Sequence, residues 1–286
     1  MSALQQAPQA SNFRVAPEFP PVRACIFDMD GLLINSEDII TESINQILEK
    51  YGKPPVVPSV RAKMIGIHNS TSHDVFHDWA QLPISREQFA FEVSESMYSN
   101  FPRCSPLHGA ETLLSNLSTS LSSRGTKIQL ALASSTRTRS YEAKISSPRV
   151  KKLLDFFPAD RRILGDDSRI QKGRGKPAPD VYLVALQALN SSLGENESPI
   201  TPTECLVFED SVVGVEAGRR AGMRIIWVPH PDVVAEHHHP SVLAGRTGLV
   251  ELGDKDHFGK INDGWAETIP SLEHFDYDKY GICVPS

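Results

Sequence analysis

Apolar residues along the chain gather into five short runs separated by longer amphipathic stretches. The runs are VRACIF (22–27), KIQLALA (127–133), RRILG (161–165), ECLVF (204–208) and MRIIWV (223–228). Each is short and apolar almost throughout, as in strands buried on both faces, and helical stretches lie between several of them. The alternation predicts an α/β fold with a parallel sheet covered by helices on both sides. In such sheets ligands bind beyond the carboxyl ends of the strands. The polar residues that follow each run are therefore the candidates for chemistry.

Between the first and second runs the pattern changes. In SEDIITESINQILEKY (36–51), Ile40, Ile44, Ile47, Leu48 and Tyr51 fall on one helical stripe. Asn35 or Ser36 is expected to cap this helix, Glu37 and Asp38 suit its first turn, and Gly52 ends it. Further helices are expected near 59–65, 70–80 and 85–99, with FPRCSPLHG (101–109) as the return to the sheet. The expected division is a loose tail over 1–20, a sheet core over 21–38 and 107–286, and a small all-helical insertion over 39–106 that would cap it. Residues 231–286 are a C-terminal extension of the core.

Composition supports a globular protein: 40% of the 286 residues are hydrophobic and 22% charged. The net charge of −6 and the lack of a basic patch argue against nucleic acid and anionic membranes as partners. No apolar run approaches the roughly 20 residues of a membrane span, and the N-terminus lacks the basic-then-apolar pattern of a secretory leader. The cytoplasm is the expected place, with a mitochondrial transit peptide over 1–20, where Arg14 is the one basic residue, as the weaker alternative, and a monomer is expected. Cys25, Cys104, Cys205 and Cys283 are widely spaced and read as reduced thiols. His73 and His77 are four apart on a predicted helix, and EHHHP (236–240) is histidine-rich; both read as surface or packing features.

The strand ends carry the chemistry. The first run leads into Asp28-Met29-Asp30-Gly31, the second into Ser134-Ser135-Thr136, and the fourth into Glu209-Asp210-Ser211; the loop GKPAPD before the fourth holds Lys176. A parallel sheet would bring these groups to one edge. Two unit charges about 4 Å apart repel by roughly 4 kcal/mol at an effective dielectric near 20, so four carboxylates in one site need a cation or partial protonation. An all-oxygen donor set suits Mg²⁺. Lys176 and Ser134 would add a clamp for phosphate. A carboxylate can attack phosphorus, and a second one can move protons, which gives a reason for two aspartates.

In order, FDMDG, LASS, GKPAPD and VFEDS resemble the four motifs of the haloacid-dehalogenase-like superfamily, in its phosphatase branch with a helical cap after the first motif. AKMIG (62–66), LPISREQF (82–89) and GVEAGRRAGM (214–223) are similar to its pseudouridine-5′-phosphatase-like subgroup, which also includes plant glycerol-phosphate and FMN phosphatase relatives. The resemblance covers roughly residues 20–230. It implies a Rossmann-like, three-layer core with the first strand central, and a Mg²⁺-dependent phosphomonoesterase acting on a small phosphorylated metabolite such as pseudouridine 5′-phosphate. Glycerol phosphate, 2-deoxyhexose phosphate and FMN are the alternatives. It implies Asp28 as nucleophile, Asp30 as general acid and base, and Ser134 and Lys176 on the phosphoryl group. Metal would lie on Asp28, the Asp30 carbonyl and Asp210, with Glu209 beside or within the shell. Substrate contacts are expected from Ser134, Ser135 and Lys176, and from Gly66 and His68 in the cap. Ile40 stands where similar sugar mutases carry histidine, which disfavours a mutase, and the presence of Asp30 disfavours a dehalogenase. A non-catalytic binding protein would be expected to lack one of these groups, and all are present.

Overall fold

The computed structural model describes residues 19–65, 70–237, 239–246 and 259–285. All five apolar runs are strands. In chain order the strands are β1 (Ala24–Phe27), β2 (Leu121–Ser122), β3 (Gln129–Ala133), β4 (Arg162–Ile163), β5 (Cys205–Glu209), β6 (Arg224–Trp227), β7 (Ala266–Thr268) and β8 (Ile282–Cys283). Six of them form one parallel sheet in the order β4-β3-β1-β5-β6-β7, while β2 and β8 pair in a separate antiparallel ribbon. β1 lies between β3 and β5, so the strand that ends in Asp28 has a neighbour on each side.

Successive side chains point to opposite faces, and each face buries its own cluster. Cys25, Phe27, Leu130, Leu132, Leu206 and Phe208 feed one; Ala24, Ile26, Ala131, Ala133, Cys205 and Val207 feed the other. Phe27 stacks on Phe208 with ring centroids 4.4 Å apart. Burying a side chain of this size contributes about 1.5–3 kcal/mol.

Four helices fill the described part of the stretch from β1 to the return at 101–109: α1 (Ser36–Lys50), α2 (Pro58–Met64), α3 (Ser70–Ala80) and α4 (Arg86–Asn100). They bury a cluster of their own, with Ile44, Ile47 and Leu48 of α1 against Val60, Phe76, Phe89 and Val93. Pro58 starts α2, where its missing N–H costs nothing, and the Ser85 hydroxyl accepts the Gln88 N–H at 3.2 Å to cap α4. The expected cap of α1 is corrected. Neither Asn35 nor Ser36 caps it: Asn35 Oδ1 accepts the Ser105 N–H at 2.8 Å, and the Ser36 hydroxyl donates to Asp30. Tertiary partners have claimed both side chains.

Both faces of the sheet are covered. α5 (Ala110–Thr119), α6 (Thr138–Ile145) and α7 (Pro148–Leu154) bury side chains on the Phe27 side, and α8 (Asp180–Ser191) and α9 (Val212–Arg220) on the Ile26 side. Beyond β6 come α10 (Pro231–Glu236) and α11 (His239–Leu243). α10 packs on α2, and Arg61 of α2 lies 3.6 Å from Asp232 and 2.5 Å from Asp38. The last stretch adds the edge strand β7 and contributes Leu272, Phe275, Tyr280 and Ile282 to the core.

Candidate active site

The sheet register sets the site. Phe27 is level with Leu132 of β3 and Phe208 of β5, so Asp28 emerges beside Ala133 and Glu209 at one edge. Its N–H still donates to the Phe208 carbonyl at 3.0 Å. The chain then turns at Gly31, with φ of +74°. A Cβ there would sit 2.2 Å from Asp210 Oδ2, so only glycine lets the turn pass over that carboxylate. A Cβ on Gly214 would come within 1.9 Å of the Glu209 carboxyl, which lies against the first turn of α9.

Lys176 reaches the edge from the loop before α8, with its side chain only 3% exposed. Its ammonium donates to Asp28 Oδ1 at 2.5 Å, Glu209 Oε1 at 2.6 Å and the Ala133 carbonyl at 3.0 Å. Those three acceptors match its three donors. Glu209 is fully buried and also accepts from the Tyr182 hydroxyl, the Ser211 N–H at 3.2 Å and the Ser211 hydroxyl at 3.0 Å. Both of its oxygens are thus engaged by protein donors.

Asp30 faces a separate set of donors. Oδ1 accepts from the Ser36 hydroxyl and from Lys144 Nζ at 2.6 Å; Oδ2 accepts from the Thr136 hydroxyl at 2.5 Å and, loosely, from the Ser134 hydroxyl at 3.5 Å. The two aspartates that look equivalent in the sequence therefore each have their own lysine.

Electrostatics separate them further. Burial pushes the Asp28 carboxyl up to about 7; the Lys176 charge opposes this, while Glu209 and Asp30 add to it. Burial would raise Asp30 too, but the Lys144 charge and the bonds from Lys144, Ser36 and Thr136 outweigh it and hold Asp30 below the usual carboxylate range. Asp210 is pushed well up by burial and then by the charges of Glu209 and Asp28. Burial disfavours the Lys176 charge, yet Asp28 and Glu209 more than offset it and raise its pKa. Asp28, Glu209 and Asp210 each offer an oxygen within 4.8 Å of the others. Asp210 makes no side-chain hydrogen bond among the described residues. Crowded oxygens with unbalanced negative charge fit a hard divalent cation.

Of the residues singled out in the sequence, Asp28, Asp30, Ser134, Lys176, Glu209 and Asp210 lie at this edge. Ser134 is buried and accepts the Thr136 N–H at 3.1 Å; Ser135 beside it is half-buried. Gly66 and His68 lie outside the described residues. Sequence reasoning missed Lys144 and Tyr182; it named Thr136 at the strand end without a role and read Ser36 only as a helix cap. It also missed Glu37, which burial and the Asp30 charge push up to about 7. A cavity of about 230 Å³ adjoins Asp210, with Gly31, Glu37, Ile65, His108 and Ser271 among its walls.

The family model for haloacid dehalogenase-like hydrolases matches residues 25–228, from β1 to just past β6. The chain belongs to that family. It is 34% identical over 261 residues to a protein of Saccharomyces cerevisiae named as a probable pseudouridine-5′-phosphatase, covering 91% of this chain and 98% of the relative. It is 31% identical to (DL)-glycerol-3-phosphatase 2 of Arabidopsis thaliana, over 74% of this chain and 81% of that one. Among solved structures, a family hydrolase from Deinococcus radiodurans with bound phosphate and sodium superposes with a TM-score of 0.57 at 24% identity. That match covers 74% of this chain and 82% of the other, and it shows the shared fold. The α/β, Rossmann-like core expected from the sequence is the one observed. No helix among the described residues is long and apolar enough to cross a membrane.

Proposed function

We propose that this phosphatase is a Mg²⁺-dependent phosphomonoesterase that cleaves a small phosphorylated metabolite in the cytoplasm as a monomer, through phosphorylation of Asp28. The observation that carries the reading is Asp28 itself: a buried carboxylate at the end of the central strand, 2.5 Å from Lys176 and within a cluster of acidic oxygens with Glu209 and Asp210. Asp28 and Asp210 would hold Mg²⁺ with the Asp30 carbonyl, and Glu209 close by. The cation, when bound, neutralises charge on the phosphoryl oxygens.

The chain's own groups supply the rest. An Asp28 oxygen bonds to phosphorus as the bond to the ester oxygen breaks, and the ester oxygen takes the proton that Asp30 gained from the water of the preceding turnover. Water then attacks the phosphorus of phosphorylated Asp28 and gives its proton to Asp30. The Asp28–phosphorus bond breaks, its electron pair returns to the carboxylate, and inorganic phosphate leaves. Lys176 and Ser134 hold the phosphoryl group throughout, and positioning of this kind is most of what phosphoryl transfer requires.

Pseudouridine 5′-phosphate or a similar nucleotide or sugar phosphate is the leading substrate. The yeast relative supports it, since the two chains match over almost their whole length. Glycerol phosphate, 2-deoxyhexose phosphate and FMN remain as the other candidates. The cavity of about 230 Å³ beside Asp210 suits a small leaving group. The helical block over 39–106 serves as the cap, and 21–38 with 107–286 form the core. Incubation with p-nitrophenyl phosphate, with and without Mg²⁺, tests the class; a metabolite panel then compares kcat/KM values. Lack of Mg²⁺-dependent turnover, or full turnover in Asp28→Asn, would sink the reading.

A further inference from the structure

Lys144 is not part of any motif that pointed to this site, yet it is the cation nearest to Asp30. It sits in the last turn of α6, and its side chain is only 3% exposed. A buried ammonium is costly unless it is paired. Its partners are few and specific: Asp30 Oδ1 at 2.6 Å, the Thr136 hydroxyl at 2.9 Å and, 4.9 Å away, the ring of Phe101. The Thr136 hydroxyl in turn donates a hydrogen bond to Asp30 Oδ2, so Lys144 holds both carboxylate oxygens, one directly and one through Thr136.

Among the described residues four side chains donate hydrogen bonds to the Asp30 carboxylate, Ser36, Ser134, Thr136 and Lys144, while the carboxyls of Glu37 and Asp28 face it without a hydrogen bond. A carboxylate with two oxygens offers about four lone-pair sites. Oδ1 is filled by two close donors, while Oδ2 holds one close donor and the loose 3.5 Å contact to Ser134. The Oδ2 site held only by the 3.5 Å Ser134 contact is thus the least engaged of the four, and the three close donors fix the orientation of the carboxylate.

We propose that Lys144 is a positioning residue for the second half of the reaction: with Thr136 it holds Asp30 as an oriented carboxylate that takes the proton of the water hydrolysing phosphorylated Asp28. The proposal rests on the phosphatase reading above. Cleavage of an ester with a good leaving group needs little help from Asp30. Hydrolysis of the phosphorylated enzyme needs Asp30 in every turnover, whatever the substrate. Losing Lys144 thus slows the second step selectively, which a merely structural lysine would not do.

The test uses the full chain with Mg²⁺ and p-nitrophenyl phosphate, with rapid mixing to follow nitrophenolate and acid quenching to trap protein-bound phosphate. In Lys144→Met, kcat is expected to fall by about tenfold to a hundredfold, part of the 10²–10⁴ of a general base. KM should fall with it, so that kcat/KM changes by less than about threefold. A nitrophenolate burst approaching one equivalent and trapped phosphoprotein should appear, and Lys144→Arg should recover part of kcat. If Lys144→Met does not fold, Thr136→Val breaks the link between Lys144 and Oδ2 and reads the same split. Equal losses in kcat and kcat/KM without a burst, or unchanged kinetics, overturn the proposal alone. A wild-type chain with no Mg²⁺-dependent turnover overturns the phosphatase reading, and the proposal with it.

Discussion

Replacing Tyr182 with phenylalanine removes one hydroxyl from beneath the site and little else. Tyr182 is fully buried on α8, and its hydroxyl donates to Glu209 Oε1. Glu209 is fully buried as well and shares that oxygen between Tyr182 and Lys176. A hydrogen bond to a charged group contributes about 1.5–3 kcal/mol, so Tyr182→Phe should lower the unfolding free energy by about that much. In a chain of 286 residues the melting temperature should drop by roughly 2–5 °C. The measurement is urea unfolding of both proteins, without metal and again in saturating Mg²⁺. If Glu209 stays with Lys176 and Tyr182 when the cation binds, the two costs agree within about 0.5 kcal/mol, the limit to which independent sites add. If Glu209 turns onto the cation, the cost shrinks in Mg²⁺, and Glu209 belongs within the metal shell rather than beside it. A cost below about 0.5 kcal/mol in the metal-free protein would refute the buried bond itself.

Two further outcomes follow from burial. Burial pushes the Cys104 thiol up to about 11 and the Cys205 thiol up to about 12, and it raises Cys25 as well, while Cys283 is exposed. A thiolate reagent at pH 8 should therefore titrate one thiol in the native protein and four in urea; rapid reaction of more than one native thiol would contradict the packing. For Asp28, the folded pKa of about 7 lies above the unfolded value of about 3.9, so between these values the folded state holds the extra proton and stability falls as pH rises. Metal-free Asp28→Asn, which stays neutral, should gain on wild type across that window, and Mg²⁺ should raise the wild-type melting temperature more at pH 8 than at pH 5.5, because ligands bind deprotonated. A constant difference across pH would count against the buried, raised carboxyl.

The parallel sheet was legible because strands covered on both faces are apolar at every position, and such runs are rare elsewhere in the chain. β7 was not: Ala266, Glu267 and Thr268 are all half-buried at the sheet edge and leave no apolar signature. The same contrast holds in the site. Asp28, Ser134, Glu209 and Asp210 follow apolar runs directly, so the strand ends give them away. Tyr182 reads as one more apolar position of α8, and Lys144, in TRSYEAKI, reads as a solvated lysine on a polar helix. Nothing local shows that α6 turns that side chain inward toward a residue 114 positions away. Asn35 and Ser36 misled for a related reason. Both suit a helix cap, but a carboxylate and a hinge N–H compete for the same atoms and win.

The two aspartates also differ in what anchors them. Asp28 is held by the sheet and its flanks: the Phe208 carbonyl takes its N–H, and Lys176 is fixed by the Ala133 carbonyl and Glu209. Asp30 is held partly from outside the sheet, because Ser36 is the first residue of α1. The rest of α1 is built into the other cluster, where Ile44, Ile47 and Leu48 pack with Phe76 and Phe89. Phe101, at the return from the helical block, lies over the Lys144 ammonium. A shift of the helical block against the sheet would therefore be felt at Asp30 through Ser36 and Lys144 while leaving Asp28 in place. Asp28 is thus anchored by the sheet and its flanks alone, while Asp30 is tied to the helical block through Ser36 and Lys144.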